Sequence, residues 1–312
     1  MSTTVRPRIS RLIPPRVGRE SLLSDSWRRR LPLLPALLFM ILLTQVPFVM
    51  SIYYSLTDWT VNPPSPRKFV GLANYRELIG DQFFREAAVT SVVMTVSAVL
   101  VSLLLGTLLA ILVDRKFFGQ GIVRTLLITP FLIMPVVAGL IWKNQMFSEL
   151  FGVINWVLER LSLGPIAFLS DHPTFSIVTV LVWQWTPFML LIVLAGLQSQ
   201  SSDVLEAARV DGATGFGTFR QLTLPHLRRY LELGALLGTI YLIQVFDQID
   251  VMTGGGPGST NIPRYVYERS IGGGWLFGQA SAYSIVVVIA SIVVAILTLR
   301  VLSSLLKGEE AA

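Results

Sequence analysis

The chain contains no cysteine, only two histidines and few charges for its length of 312 residues. Without cysteine there is no disulfide, no thiolate metal site and no cysteine nucleophile. Charged residues make up 14% of the chain, against about 25% in an ordinary soluble domain. That is little more than half the usual supply for a water-facing surface. The remaining composition is 53% hydrophobic, gathered in long charge-free blocks, which argues against both a soluble globular enzyme and a disordered chain. A phosphate loop is also missing. The run Thr253-Gly-Gly-Gly-Pro-Gly-Ser-Thr260 has no lysine before its Ser-Thr pair and meets Pro263 instead of a helix, so it reads as a turn.

What the chain does have is apolar length. A helix needs about 20 residues to cross roughly 30 Å of hydrocarbon. Six segments approach that: Leu31 to Leu56, Ala87 to Val113, Ile122 to Trp142, Thr174 to Leu197, Tyr230 to Val251 and Ala280 to Leu302. The third carries Arg124, Pro130 and Pro135, and the uncharged core of the fifth is only Leu233 to Phe246. Such spans need neighbours to satisfy their polar groups, which points to a packed all-α membrane bundle of six helices.

Orientation follows from lysine and arginine. With the N-terminus inside, the inner segments hold 17 of these residues and the outer segments 8, as the positive-inside rule requires. The expected organisation is a basic cytoplasmic segment, residues 1–30; a transmembrane domain, residues 31–302; and a cytoplasmic tail, residues 303–312. Both termini then lie on the cytoplasmic side of the inner membrane. The N-terminal arginines are read as a topology signal and not as a nucleic-acid arm, because no aromatic-interleaved basic surface follows. The first apolar run outlasts a secretory h-region and lacks a small-residue cleavage site, so it is an uncleaved span. Trp142 and Trp156 suit an aromatic belt. His172 and His226 fall on opposite sides and cannot share a metal.

The inner loop 198–229 is longer than a simple connection requires. Asp203 to Gly212 reads as a short helix, with Asp203 and Glu206 at capping-box spacing and a glycine at its end. A second short segment, Thr218 to Leu224, is expected to stop at Pro225.

Within this loop, Glu206-Ala207-Ala208, then Gly212, then Leu222-Thr-Leu224-Pro225 resembles the EAA loop of ABC importer permeases. The spacing agrees at every step, with Leu222 in the usual isoleucine position. Phe69 to Tyr75, Trp183-Gln-Trp-Thr-Pro-Phe188, Leu194 to Leu197, Val251 to Pro257, Tyr265 to Arg269 and Phe277 to Ala282 are similar to carbohydrate-type permeases. Residues Gly272 to Trp275 depart from that pattern.

The resemblance implies a type I (MetI-like) bundle that translocates a sugar, disaccharide or polyol and performs no catalysis itself. It implies two ATPase subunits carrying ATP and Mg, docked on Glu206, Ala207, Ala208, Asp211, Gly212, Leu222, Leu224 and Pro225. A second homologous permease subunit, forming a heterodimer, and an extracytoplasmic sugar-binding protein complete the assembly, with membrane lipid around it, no nucleic acid and no bound metal or cofactor.

For the substrate path, the candidates are Trp183 and Trp185 in the fourth span and Gln244, Asp247 and Asp250 in the fifth, grouped on one face by their spacing of three. Intramembrane carboxylates usually face a bundle interior or a water-filled path. Asp247 and Asp250 equally suit a cap at the outer end of the span, and the tryptophans equally suit packing. A membrane enzyme would need convergent ionisable groups, and Glu232 sits at the opposite end of the span from Asp247 and Asp250. A secondary transporter would show paired repeats with broken helices, and no repeat is evident.

Overall fold

The computed structural model describes residues 31–64 and 66–307. The expected basic segment 1–30 and residues 308–312 of the expected tail lie outside the described residues. The chain divides into two units, Met1–Met50 and Ser51–Ala312.

Helix α1 (Leu34–Ser55) follows a 3₁₀ turn at Leu31–Leu33. Residues 32–50 are exposed around the whole helix, and a helix apolar on every side belongs in a membrane. In the second unit, a short antiparallel ribbon pairs β1 (Thr57–Asp58) with β2 (Lys68–Phe69). Asn74, from the Phe69 to Tyr75 stretch, is buried and donates to the Ser55 and Thr57 carbonyls at 2.8 and 3.0 Å. Its amide therefore fixes the turn that leads out of α1.

After α2 (Ala73–Gly80) come the long α3 (Gln82–Asp114) and the pair α4 (Gln120–Leu132) and α5 (Pro135–Ile141). Next are the short α6 (Val153–Arg160) and α7 (Phe168–Asp171), then α8 (Pro173–Gln198). The chain continues through α9 (Ser202–Val210), α10 (Gly215–Thr218), α11 (Leu224–Leu242) and α12 (Asp247–Met252). It ends with α13 (Ile262–Ser270) and α14 (Phe277–Lys307). The last helix thus absorbs residues 303–307 of the expected tail.

Among the described residues, α1, α3, α8 and the Phe277–Arg300 part of α14 are each long and apolar enough to span a membrane. The bent pair at the third predicted span adds a fifth if counted as one crossing. Two predicted spans are not continuous helices. The third breaks between α4 and α5 with a bend of 100°. Pro135 is the cause: it biases Met134 to extended backbone and lacks the N–H that would continue the ladder. The fifth begins earlier than Tyr230, ends at Leu242, and restarts at Asp247. No proline marks that second break.

The core lies where α3, α8 and α11 meet. Ala98, Val99, Leu103 and Ala110 of α3 are buried against Val180, Met189, Leu190 and Val193 of α8. Glycines set the approach. A Cβ on Gly106 would lie 2.6 Å from the Met189 Cβ, and one on Gly238 would lie 2.5 Å from the Met189 Cε. Small residues at such crossings let membrane helices pack by close van der Waals contact, since lipid supplies no hydrophobic drive between them.

Candidate functional site

The loop between α8 and α11 is built as expected in outline but not in its caps. Ser201, with extended backbone, takes the N-cap position of α9 and makes no side-chain cap bond. Asp203 then sits inside the first turn, and Glu206 lies two residues past the N3 position that a capping box uses, so the predicted Asp203–Glu206 capping box does not form. Asp203 still faces the positive end of the helix dipole.

The C-terminal expectation holds. Gly212 has φ +78°, its N–H bonds the Arg209 carbonyl, and the Ala213 N–H bonds the Ala208 carbonyl. That pair of bonds is a Schellman cap, which requires left-handed backbone at its glycine. No residue of α9 is buried. Glu206, Ala207, Asp211 and Gly212 are exposed, and the apolar Val210 and Phe216 are 87% and 77% exposed.

Pro225 does not stop the second segment. Helix α10 runs through a π turn at Phe219–Thr223 directly into α11, with Pro225 in the first turn of α11. The wider turn accommodates a residue that cannot donate a backbone bond. Helical backbone is therefore continuous from Gly215 to Leu242, roughly 40 Å at 1.5 Å per residue. Leu224 packs on the core and Leu222 is half-buried, so the motif's apolar end is structural while its Glu206 end is open. The base is pinned to α8: the Ser199 hydroxyl lies 2.7 Å from the Tyr230 hydroxyl and 3.0 Å from His226 Nε2.

The far end of α11 opens on a pocket of about 350 Å³ between the two helix breaks. It brings together Trp185, Gln244 and Asp247 of the predicted path residues. Phe131, Gln184, Tyr241 and Gln248 join them. Trp185 packs on Phe131, Phe188 and Tyr241 with ring centroids 5.4–5.8 Å apart.

The other two predicted residues lie elsewhere. Trp183 packs on the half-buried Trp142, centroids 5.7 Å apart. Asp250 forms an ion pair with Arg264 at 3.0 Å. The single helical face proposed for Gln244, Asp247 and Asp250 does not exist, because the break at 243–246 separates Gln244 from the two aspartates.

Gln184 and Gln248 are 4% and 3% exposed, and both were missed. Gln184 donates to the Ile133 carbonyl at 2.7 Å, the one freed by the first break. Gln248 donates to Gln184 Oε1 at 2.8 Å. At the second break, the freed Val245 carbonyl accepts from Asn261 Nδ2. A glutamine in the middle of an apolar span was the available signal. Gln184 lies inside the Trp183 to Phe188 stretch, between the two tryptophans.

A separate polar cluster ties α3 and α13 together, and α14 joins it through the Tyr283 hydroxyl, which donates to Asp81 at 3.3 Å. Asp81 caps α3 by accepting from the Phe83 and Phe84 amides at 3.0 and 3.3 Å. The Tyr265 hydroxyl donates to the same carboxylate, and Arg269 pairs with it at 3.1 Å. Burial alone pushes the Asp81 carboxyl up, but Tyr265, the Phe84 amide, Arg269 and the Phe83 amide together hold it below its ordinary 3.8. Burial and the bond to Asp81 push the Tyr265 hydroxyl up to about 12. Beside this cluster, the turn Gly254 to Gly258 borders a cavity of about 720 Å³. Gly254, Gly255, Gly256 and Gly258 all have positive φ there.

A bundle of this kind, with broken helices around a polar pocket and an exposed loop at one end, is the fold of a type I ABC importer permease. It superposes on the crystal structure of a bacterial ABC transporter that imports alginate, with a TM-score of 0.75 at 20% identity, covering 89% of this chain and 96% of that one. Residues 102–307 match the family of binding-protein-dependent transport system inner membrane components, and the chain belongs to that family.

Among its relatives is a probable ABC transporter permease protein, y4oQ, of Sinorhizobium fredii, 40% identical over 77% of this chain and 78% of the relative. The trehalose/maltose transport system permease protein MalF of Thermococcus litoralis is 36% identical over 73% and 76%. The sulfoquinovosyl glycerol transport system permease protein SmoG of Agrobacterium fabrum is 32% identical over 92% and 94%. The chain is a multi-pass inner-membrane permease component.

Proposed function

We propose that the chain is a translocation subunit of an ATP-driven carbohydrate importer, coupled to separate ATPase subunits through residues 206–225. The observation that carries this is the loop's combination of rigidity and exposure. Its short helix is closed by a Schellman cap, its apolar Val210 and Phe216 are uncovered, and it continues as one helix to the pocket. A surface with bare apolar side chains on a fixed frame suits a protein partner. The names of the relatives support a saccharide as cargo.

In this reading, a second homologous permease subunit completes the path, and an extracytoplasmic binding protein delivers the substrate. ATP and Mg are held and used by the two ATPase subunits. Residues 198–229 and both chain ends face the cytoplasm, as the distribution of lysine and arginine favours. Ala207 and Ala208 let α9 seat closely in a groove of the ATPase, and Glu206 meets a basic group there. Closure of the ATPase pair then displaces α9, and α10 and α11 carry the motion to the break that borders the pocket.

Gly212→Val tests the docking step. A β-branched residue at φ +78° costs roughly 1–3 kcal/mol of backbone strain. It disturbs the cap without touching the core, since a Cβ there meets no atom within 4 Å. The expected result is an inserted permease pair that no longer co-purifies with the ATPase and shows no uptake, while Glu206→Gln weakens both by several-fold. Wild-type co-purification and uptake in both variants would exclude the loop as the coupling element.

A further inference from the structure

The hydrogen-bonding polarity of the pocket follows from one backbone atom. The Ile133 carbonyl, released by the break before Pro135, can only accept. Gln184 must therefore turn its Nε2 toward it, at 2.7 Å, which directs Gln184 Oε1 the other way. That oxygen can only accept as well, so Gln248 presents its own Nε2, at 2.8 Å. Two amides in series leave Gln248 Oε1 as the end of the chain. The side chain is 3% exposed, it borders the pocket, and this oxygen has no partner among the described residues. That acceptor is left for a ligand or water in the pocket to supply the proton.

Gln244 repeats the pattern. Its Nε2 donates to the Ile240 carbonyl at 2.9 Å, which leaves its Oε1 facing away. Asp247, exposed between the two glutamines in sequence, adds a carboxylate. Trp185 and Tyr241 contribute uncharged donors and flat apolar faces. No lysine, arginine or histidine is among the described residues that line the pocket.

We propose that this acceptor-rich wall makes the pocket selective for uncharged, hydroxyl-rich saccharides over acidic ones, with Gln248 receiving a substrate hydroxyl and Gln184 positioning it. Sugar hydroxyls donate to the three acceptors while the pyranose face lies on Trp185. A uronate, sulfonate or phosphate group would bring a second negative charge beside Asp247 with no cation to answer it, and like charges brought together in this way cost several kcal/mol. The inference rests on the pocket being part of a carbohydrate path.

The test is equilibrium dialysis of tritiated maltose, trehalose and digalacturonate against the purified complex of both permeases and both ATPases. The binding protein is left out because its own selectivity would mask that of the pocket. At least one of the neutral disaccharides should bind, and digalacturonate should bind roughly a hundredfold more weakly. Gln248→Met, of similar volume, should weaken the neutral sugar about tenfold. Asp247→Lys, at an exposed position that leaves folding intact, should weaken the neutral sugar and strengthen digalacturonate. That reversal is an outcome no purely structural role would give.

Digalacturonate binding as tightly as the neutral sugars, or an unchanged preference in Asp247→Lys, overturns the proposal and leaves the carbohydrate reading standing. Binding of neither class overturns both.

Discussion

At the residue scale, neighbours in sequence have different tasks. Trp183 and Trp185 are two apart on α8, so they project about 200° apart around the helix axis. One meets Trp142 in the core, and the other meets the aromatic wall of the pocket. Substitutions should therefore separate them. Trp183→Ala removes a large packed side chain and should cost about 3–5 kcal/mol of stability, read as a lower melting temperature and poorer recovery of the complex, with little change in the uptake KM of the protein that survives. Trp185→Ala should leave most of the stability and raise the uptake KM by roughly tenfold, the loss expected when one sugar-stacking face disappears. Equal effects on both readouts would contradict the division between core and pocket. Asp250 and Asp247 divide in the same way, one committed to Arg264 and the other open to the pocket.

At the element scale, helix ends carry the polar chemistry. Breaks and caps are where backbone groups lose their helical partners. Here Gln184 and Asn261 supply those partners from other elements, and Asp81 supplies them as the N-cap of α3 itself. The Asp81 cluster has a consequence for acid stability. Its carboxyl titrates lower in the folded protein than in the unfolded chain, so the folded state gains from its ionised form. That contribution is complete above the ordinary value of 3.8 and is lost as pH falls through the depressed folded value. Melting of the purified protein in detergent between about pH 3 and 7 should show an acid-dependent loss at the low end. Asp81→Asn keeps a competent helix cap but removes the titration, so its melting temperature should start lower and depend less on acid. An identical acid profile in the variant would place the sensitivity elsewhere.

At the scale of the whole molecule, the arrangement needs one orientation. The loop at Ser202 and the turn at Pro257 must face opposite sides of the membrane if ATPases dock on one and substrate arrives at the other. The native chain has no cysteine, so single substitutions report without background. Ser202 and Pro257 are both exposed, whereas the neighbouring Ser259 is buried and would label poorly. An impermeant maleimide should label Pro257→Cys in intact spheroplasts and Ser202→Cys only after lysis. The reverse pattern would invert the topology. The unbroken helical run from Gly215 to Leu242 links the proposed docking loop to the pocket, which would give a push at one end a route to the other.

Several of these features were legible from the residues alone. Charge scarcity and apolar blocks determined a membrane bundle, because hydrocarbon admits only segments that satisfy their own backbone. The spacing from Glu206 to Pro225 determined the loop, and Gly212 its cap, because left-handed backbone selects glycine. Pro135 announced trouble in the third span for a steric reason visible in any sequence. The break at 243–246 was not visible, since Ile243 to Phe246 contains no residue that forbids a helix. It exists because Asn261, from a distant turn, takes the Val245 carbonyl, and because Gln248 reaches Gln184 on another helix. Which of Gln244, Asp247 and Asp250 face one cavity was likewise decided in three dimensions. Periodicity along one helix can group residues only while that helix continues, and whether it continues depended on partners that sequence spacing does not reveal.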